Sequence, residues 1–126
     1  MNRTLAFAAL LACLSLPASA EEDYNYAPSC IAPQPPAPVD GHTATQPQLD
    51  AARAQVEDFM RVSDSYQSCL GRALGGRQEL AFTTHSNVPV AIVKQIERKA
   101  NANQKDKERV GREYNDAVAT FKARAP

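Results

Sequence analysis

The sequence predicts an all-α chain: an antiparallel two-helix hairpin of coiled-coil type, with a proline-rich N-terminal arm tied to the first helix by a disulfide. Three observations predict it. Leu49, Val56, Ser63 and Leu70 recur every seventh residue, and Ala52, Phe59, Tyr66 and Ala73 follow the same period three residues later, which is one apolar seam on a helix. A second such pattern follows a short interruption, with Val93, Ala100, Lys107, Tyr114 and Phe121 on one row and Ile96, Asn103, Val110 and Ala117 on the other. Between the start of the chain and the first seam lies a segment dense in proline that carries a cysteine.

The first element is expected to be removed on export. Arg3, the apolar run Leu5 to Leu16, Pro17 and Ala18-Ser19-Ala20 have the anatomy of a secretory signal, residues 1–20, cleaved after Ala20. The run is shorter than the ~20 apolar residues of a membrane span, and no later stretch is long enough. The expected location is the bacterial periplasm or the exterior. Leu10-Leu11-Ala12-Cys13 also resembles a lipobox; acylation at Cys13 is the lesser reading, because cleavage there leaves a very short apolar region.

Two cysteines then remain, Cys30 and Cys69, and in an oxidising compartment an isolated pair usually bonds. A metal site is the weaker reading, because His42 and His85 stand alone in turn-like sequence with no ligand spacing. Neither a metal nor a cofactor is expected.

Residues 21–44 form the arm. Pro33, Pro35, Pro36 and Pro38 remove amide donors and favour polyproline II over helix or central strand. Read alone, the segment suits a flexible linker or a ligand for a proline-recognising module. If Cys30 bonds Cys69, the arm must return along the first helix from Thr45, roughly 36 Å at 1.5 Å per residue. Its 15 residues span up to about 46 Å in polyproline II. The arm is therefore expected to lie antiparallel to that helix as a strut.

The hairpin occupies 45–126, with helices at about 45–75 and 87–122. Thr45 with Gln48 makes a capping box and Pro47 suits the first turn. Gly75-Gly76 is the expected stop, since glycine takes the left-handed cap conformation readily. Leu80-Ala81-Phe82 then falls in the connection, where it either folds over the end of the bundle or, with Leu80 and Phe82 exposed, contacts a partner. Asn87 is the expected cap of the second helix, with Pro89 in its first turn. Asn101 to Arg109 is the weakest part of the pattern, and a break there is the alternative to one continuous helix.

One antiparallel register pairs Leu49 with Ala117, Ala52 with Tyr114, Val56 with Val110, Phe59 with Lys107, Ser63 with Asn103, Tyr66 with Ala100, Leu70 with Ile96 and Ala73 with Val93. It sets large against small and places Asn103 on Ser63, the polar residue of the first seam. That layer is either buried and register-fixing or a wet, exposed stripe. Val62, Ile92 and Val118 lie off the seam and suggest a second apolar face, met by another copy in a four-helix bundle or by a larger partner.

Charge is uneven: acids exceed bases from Glu21 to Val90, and bases exceed acids from Ala91 onward. Lys94, Arg98, Lys99, Lys105 and Arg109 are candidate contacts for an anionic surface. The interleaved acids, and the absence of aromatics from Val88 to Glu113, argue against nucleic acid. Catalysis is not expected, since no nucleophile, base and orienting group are grouped and no phosphate-cradling loop occurs.

In overall pattern the chain resembles small exported proteobacterial helical proteins of unassigned function. The likeness rests on the signal peptide, Pro28-Ser29-Cys30 in the arm, Tyr-x-x-Cys-Leu at Tyr66 to Leu70, and Tyr114-Asn115 near the end of the second helix. It implies no catalytic or binding residue. The expected function is that of a non-catalytic interaction or structural protein with a protein partner or a second copy; binding to an envelope surface or anionic lipid through the basic second helix is the alternative.

Overall fold

The computed structural model describes residues 24–124, so the expected signal sequence and the lipobox-like stretch at Cys13 lie outside the described residues. Two helices follow the arm, α1 over Gln46–Thr83 and α2 over Val90–Arg124, and they pack against each other as an antiparallel hairpin. Asn101 to Arg109 is helical throughout.

The register is the one the two seams predict. Leu49 and Ala117 share a buried cluster; Tyr66, Leu70, Ile96 and Ala100 share another. Ala52, Val56, Val110 and Tyr114 surround one narrow cavity between them. The polar layer is dry: Ser63 and Asn103 are 0% and 5% exposed, and Asn103 Nδ2 donates to Ser63 Oγ at 3.1 Å. Gln67 completes the layer, its Nε2 donating to Asn103 Oδ1 at 3.0 Å. Lys107 occupies a seam position by running its stem inward, 19% exposed, and placing its ammonium on Asp64 at 2.5 Å.

Replacing Asn103 with alanine therefore strands the Ser63 hydroxyl and should cost about 1–3 kcal/mol. The pair Ser63→Ala with Asn103→Leu should recover most of that loss in urea unfolding, because it removes the two buried partners together and leaves Gln67 its contact with Gln104 Oε1 at 3.4 Å.

Cys30 and Cys69 are bonded, with Cα atoms 5.7 Å apart. From there the arm runs back along α1, beside Phe59 and Val62 at Pro33, and beside Ala52 and Val56 at Val39. The distances agree with full extension. From Cys30 to Val39 is about 28 Å in polyproline II, and the matching stretch of α1, Cys69 to Ala52, is about 26 Å.

The arm is clasped at both ends. Gln95, buried on α2, accepts the Tyr26 N–H at 2.8 Å and donates to the Tyr24 carbonyl at 2.6 Å. Arg77 donates to the Tyr26 carbonyl, and Lys99 to Asn25 Oδ1 at 2.5 Å. At the other end Arg124 donates to the Ala44 carbonyl. The off-seam residues are thus partly covered within one chain: Val62 lines a groove with Pro33 and Pro36 of the arm, Ile92 packs on the Ala27–Cys30 cluster, and Val118 packs on the Ala44–Leu49–Ala117 cluster.

The turn into α1 depends on two residues. Gly41 is buried so close to α2 that a Cβ would come 2.1 Å from the Ala117 carbonyl oxygen. Asp40 accepts from the His42 N–H at 2.9 Å and the Thr43 hydroxyl at 3.1 Å. The His42 amide, then Thr43, hold the Asp40 carboxyl below its ordinary range. A depressed folded-state pKa means the contribution is complete above the unfolded value, about 3.8, and is lost as pH falls through the lower folded value. Asp40→Asn should lower the melting temperature at neutral pH, and the gap from the parent should close in acid.

Both helix ends at the tip differ from expectation. α1 does not stop at Gly75-Gly76: neither glycine has a positive φ, and the helix continues to Thr83. Arg77 to Phe82 are mostly good helix formers, and Arg77 fastens that turn by donating to the Ala73 carbonyl at 2.7 Å as well as to Tyr26. The left-handed position falls instead on His85, φ 53°. Ser86 N–H bonds the Ala81 carbonyl at 2.8 Å and His85 N–H the Phe82 carbonyl at 3.3 Å, a Schellman closure. His85→Gly should raise stability by about 0.5–1 kcal/mol in urea unfolding, since relief of the left-handed backbone outweighs the freer unfolded chain.

α2 begins after Pro89, whose carbonyl accepts from Ile92 at 3.0 Å, so Asn87 is not its cap. The proline ring biases Val88 away from helical geometry and sets that start. The Thr45 cap is as expected: its N–H donates to Gln48 Oε1 at 2.8 Å.

Candidate interaction site

The end of the hairpin where α1 turns into α2 carries the exposed apolar surface. Helix continuation past Gly76 places Leu80 and Phe82 on the final turns of α1, not in a connection folded over the bundle. Leu80 is 63% and Phe82 83% exposed. Across the turn Val90 is also exposed, and Leu80, Ala81, Val88, Pro89, Ile92 and Arg77 line an open cleft of about 290 Å³. Tyr24 and Ile31 are exposed on the arm further from the turn, at the level of Gln95 and Cys69, about 20 Å from Thr83 along α1. Tyr24 and Tyr26 meet edge to face at 5.0 Å beside the Gln95 clamp. The opposite half has a different character, closed by the Gly41–Ala117 contact, by Arg124 on Ala44, and by the Arg124 guanidinium lying 5.0 Å from the Phe121 ring centre.

The five basic candidates on α2 do not form one set. At 100° per residue, Lys94, Arg98, Lys105 and Arg109 fall within about 60° of one another, opposite the seam, whereas Lys99 stands about 140° from Lys94. Lys94, Arg98 and Lys105 are exposed. Lys99 is half-buried against Asn25. Arg109 is flanked by Asp106 and Glu113, each at 3.1 Å, and these hydrogen bonds raise its pKa above the ordinary guanidinium value. Its charge is largely answered on its own helix.

Gln95 and Arg77, which hold the arm, are not distinguishable in the sequence from surface residues. Only the direction of the arm, fixed by Cys30–Cys69, brings the Tyr24 and Tyr26 backbone to them. His42 and His85 sit at opposite ends of the 38-residue α1, about 60 Å apart along the axis. Among the described residues no group of three or more His, Cys, Asp or Glu side chains is placed to hold a metal ion, and no helix is long and apolar enough to cross a membrane.

Fold and surface together define a disulfide-latched helical hairpin with one apolar end. No family model matches the chain, and no curated protein or solved structure matches it.

Proposed function

We propose that this is a non-catalytic interaction or structural protein of the bacterial periplasm or exterior, and that it meets its partner, another protein or a second copy, at the hairpin tip through Leu80 and Phe82. One observation carries the reading: Leu80, Phe82 and Val90, three of the exposed large apolar side chains among the described residues, stand on either side of the turn between α1 and α2. Exposed apolar clusters of this kind mark contact sites. The signal sequence supports export, and the disulfide agrees with an oxidising compartment.

The test is photo-crosslinking in intact cells from a probe at Phe82, with a probe at Lys99 for comparison. A discrete adduct from Phe82, lost on Leu80→Asp, is expected; equal yields from both positions would remove the tip as the contact. The exposed row Lys94, Arg98 and Lys105 supports a second reading, an anionic-surface binder. Under it, co-sedimentation with anionic vesicles should fall as salt rises, because exposed charges are screened within about 8–10 Å at 0.1–0.15 M.

A further inference from the structure

We propose that the acidic segment Glu21-Glu22-Asp23 docks on Lys94 and Arg98 of α2 and shields the tip-side end of the basic row from an external polyanion. These three acids lie outside the described residues, and the contacts of the residues that follow them set where they go. Around α2, at about 100° per residue, Ile92 and Ile96 stand roughly 60° and 100° to one side of Gln95, and Arg98 and Lys94 roughly 60° and 100° to the other. Ala27 and Cys30 pack on the isoleucine side. Nearer the start of the chain, the Tyr26 N–H and the Tyr24 carbonyl are both held at Gln95. The chain thus crosses α2 from the seam outward, and the residues before Tyr24 are carried onto the side of Lys94 and Arg98.

Reach and charge agree with this path. Lys94 and Arg98 lie about 1.5 and 4.5 Å from Gln95 along the helix axis, and three residues span at most about 10 Å. Both side chains are exposed, and Lys94 has no ion pair among the described residues. Cleavage after Ala20, as expected on export, adds one α-amino charge to three carboxylates and leaves the segment a net charge of −2. Glu97, the nearest acid on α2, stands about 160° from Gln95, beyond Lys94, and leaves the approach from Tyr24 open. An exposed ion pair is weak on its own. Here the Gln95 clamp fixes the origin of the tether, so the contact orders only three further residues and the carboxylates act at high effective concentration. The functional consequence rests on the anionic-surface reading: the start of the chain competes for two of the three exposed cations of that face.

The experiment measures heteronuclear NOE values of the Glu22 and Asp23 amides in the oxidised protein beginning at Glu21. At low salt they are expected to match that of Asn25. Lys94→Gln with Arg98→Gln should lower both to the values of an unrestrained chain end while Asn25 keeps its own; Lys105→Gln with Lys122→Gln, which removes the same charge elsewhere, should leave all three unchanged. Mobile amides in the parent, or the same response to both pairs, overturn the dock. Co-sedimentation with phosphatidylglycerol vesicles then reads the shielding. Glu21→Gln, Glu22→Gln and Asp23→Asn together should raise binding about fivefold or more, and much less in the Lys94→Gln, Arg98→Gln background. An equal gain in both backgrounds is an effect of bulk charge and overturns the shielding. Absence of vesicle binding by every variant removes the anionic-surface reading and the shielding with it, while the amide values judge the dock by themselves.

Discussion

Replacing Cys30 and Cys69 together with serine should lower the unfolding free energy by about 4 kcal/mol. The bond closes a loop of 39 residues, and the loss of that constraint on the unfolded chain has this size in the loop-entropy account. For a chain of this length the melting temperature should fall on the order of 15 °C or more. The damage should be local first. Ala27 and Cys30 form one side of the cluster containing Tyr66, Leu70 and Ile96, and a released arm uncovers it. Amide exchange should therefore quicken around Tyr66 to Ala73 and Ile92 to Ala100 before the Leu49–Ala117 end is affected. Thermal unfolding of the oxidised and the doubly substituted protein, followed by circular dichroism, measures the effect; coincident melting curves would mean that the disulfide adds nothing to stability.

Leu70→Ala should cost a further large amount, about 2–5 kcal/mol. Leu70 is 1% exposed and lies where three stretches of chain converge: α1 through Tyr66, α2 through Ile96, and the arm through Ala27 and Cys30. Such a site closes poorly over a cavity, because the neighbouring Cys69 fixes the arm against α1 and the Gln95 clamp fixes it against α2. Leu80→Ala is the natural control. That leucine sits on the same helix but is 63% exposed, so its truncation should shift stability by no more than ~0.5 kcal/mol. Urea unfolding of both variants separates a core position from a surface one.

How far the fold is legible depends on which physical signal each part carries. The hairpin and its register follow from two seven-residue patterns, and the arm's course follows from the reach of 15 residues between Cys30 and Thr45. The polar Asn103 is interpretable because its partner, Ser63, occupies the matching layer. Glycine propensity misleads at Gly75-Gly76, where flanking helix formers and the Arg77 bond to Tyr26 outweigh it, and the left-handed turn passes to His85. Periodicity marks Val62, Ile92 and Val118 as apolar without saying what covers them; the arm and the residues it brings with it do so in part. At the tip, Leu80 and Phe82 are legible as exposed apolar candidates, but their helical setting and the cleft beside them depend on where α1 ends.

Nuclear Overhauser contacts of the Ala52 methyl group in the oxidised protein give the sharpest check on a proline brace lying along an antiparallel hairpin. Cross-peaks to both the Tyr114 ring and the Val39 methyls are expected, since all three residues line one cavity. Contacts confined to Ala52's own helical neighbours, or a Tyr114 ring found seven residues away along α1, would be incompatible with this arrangement.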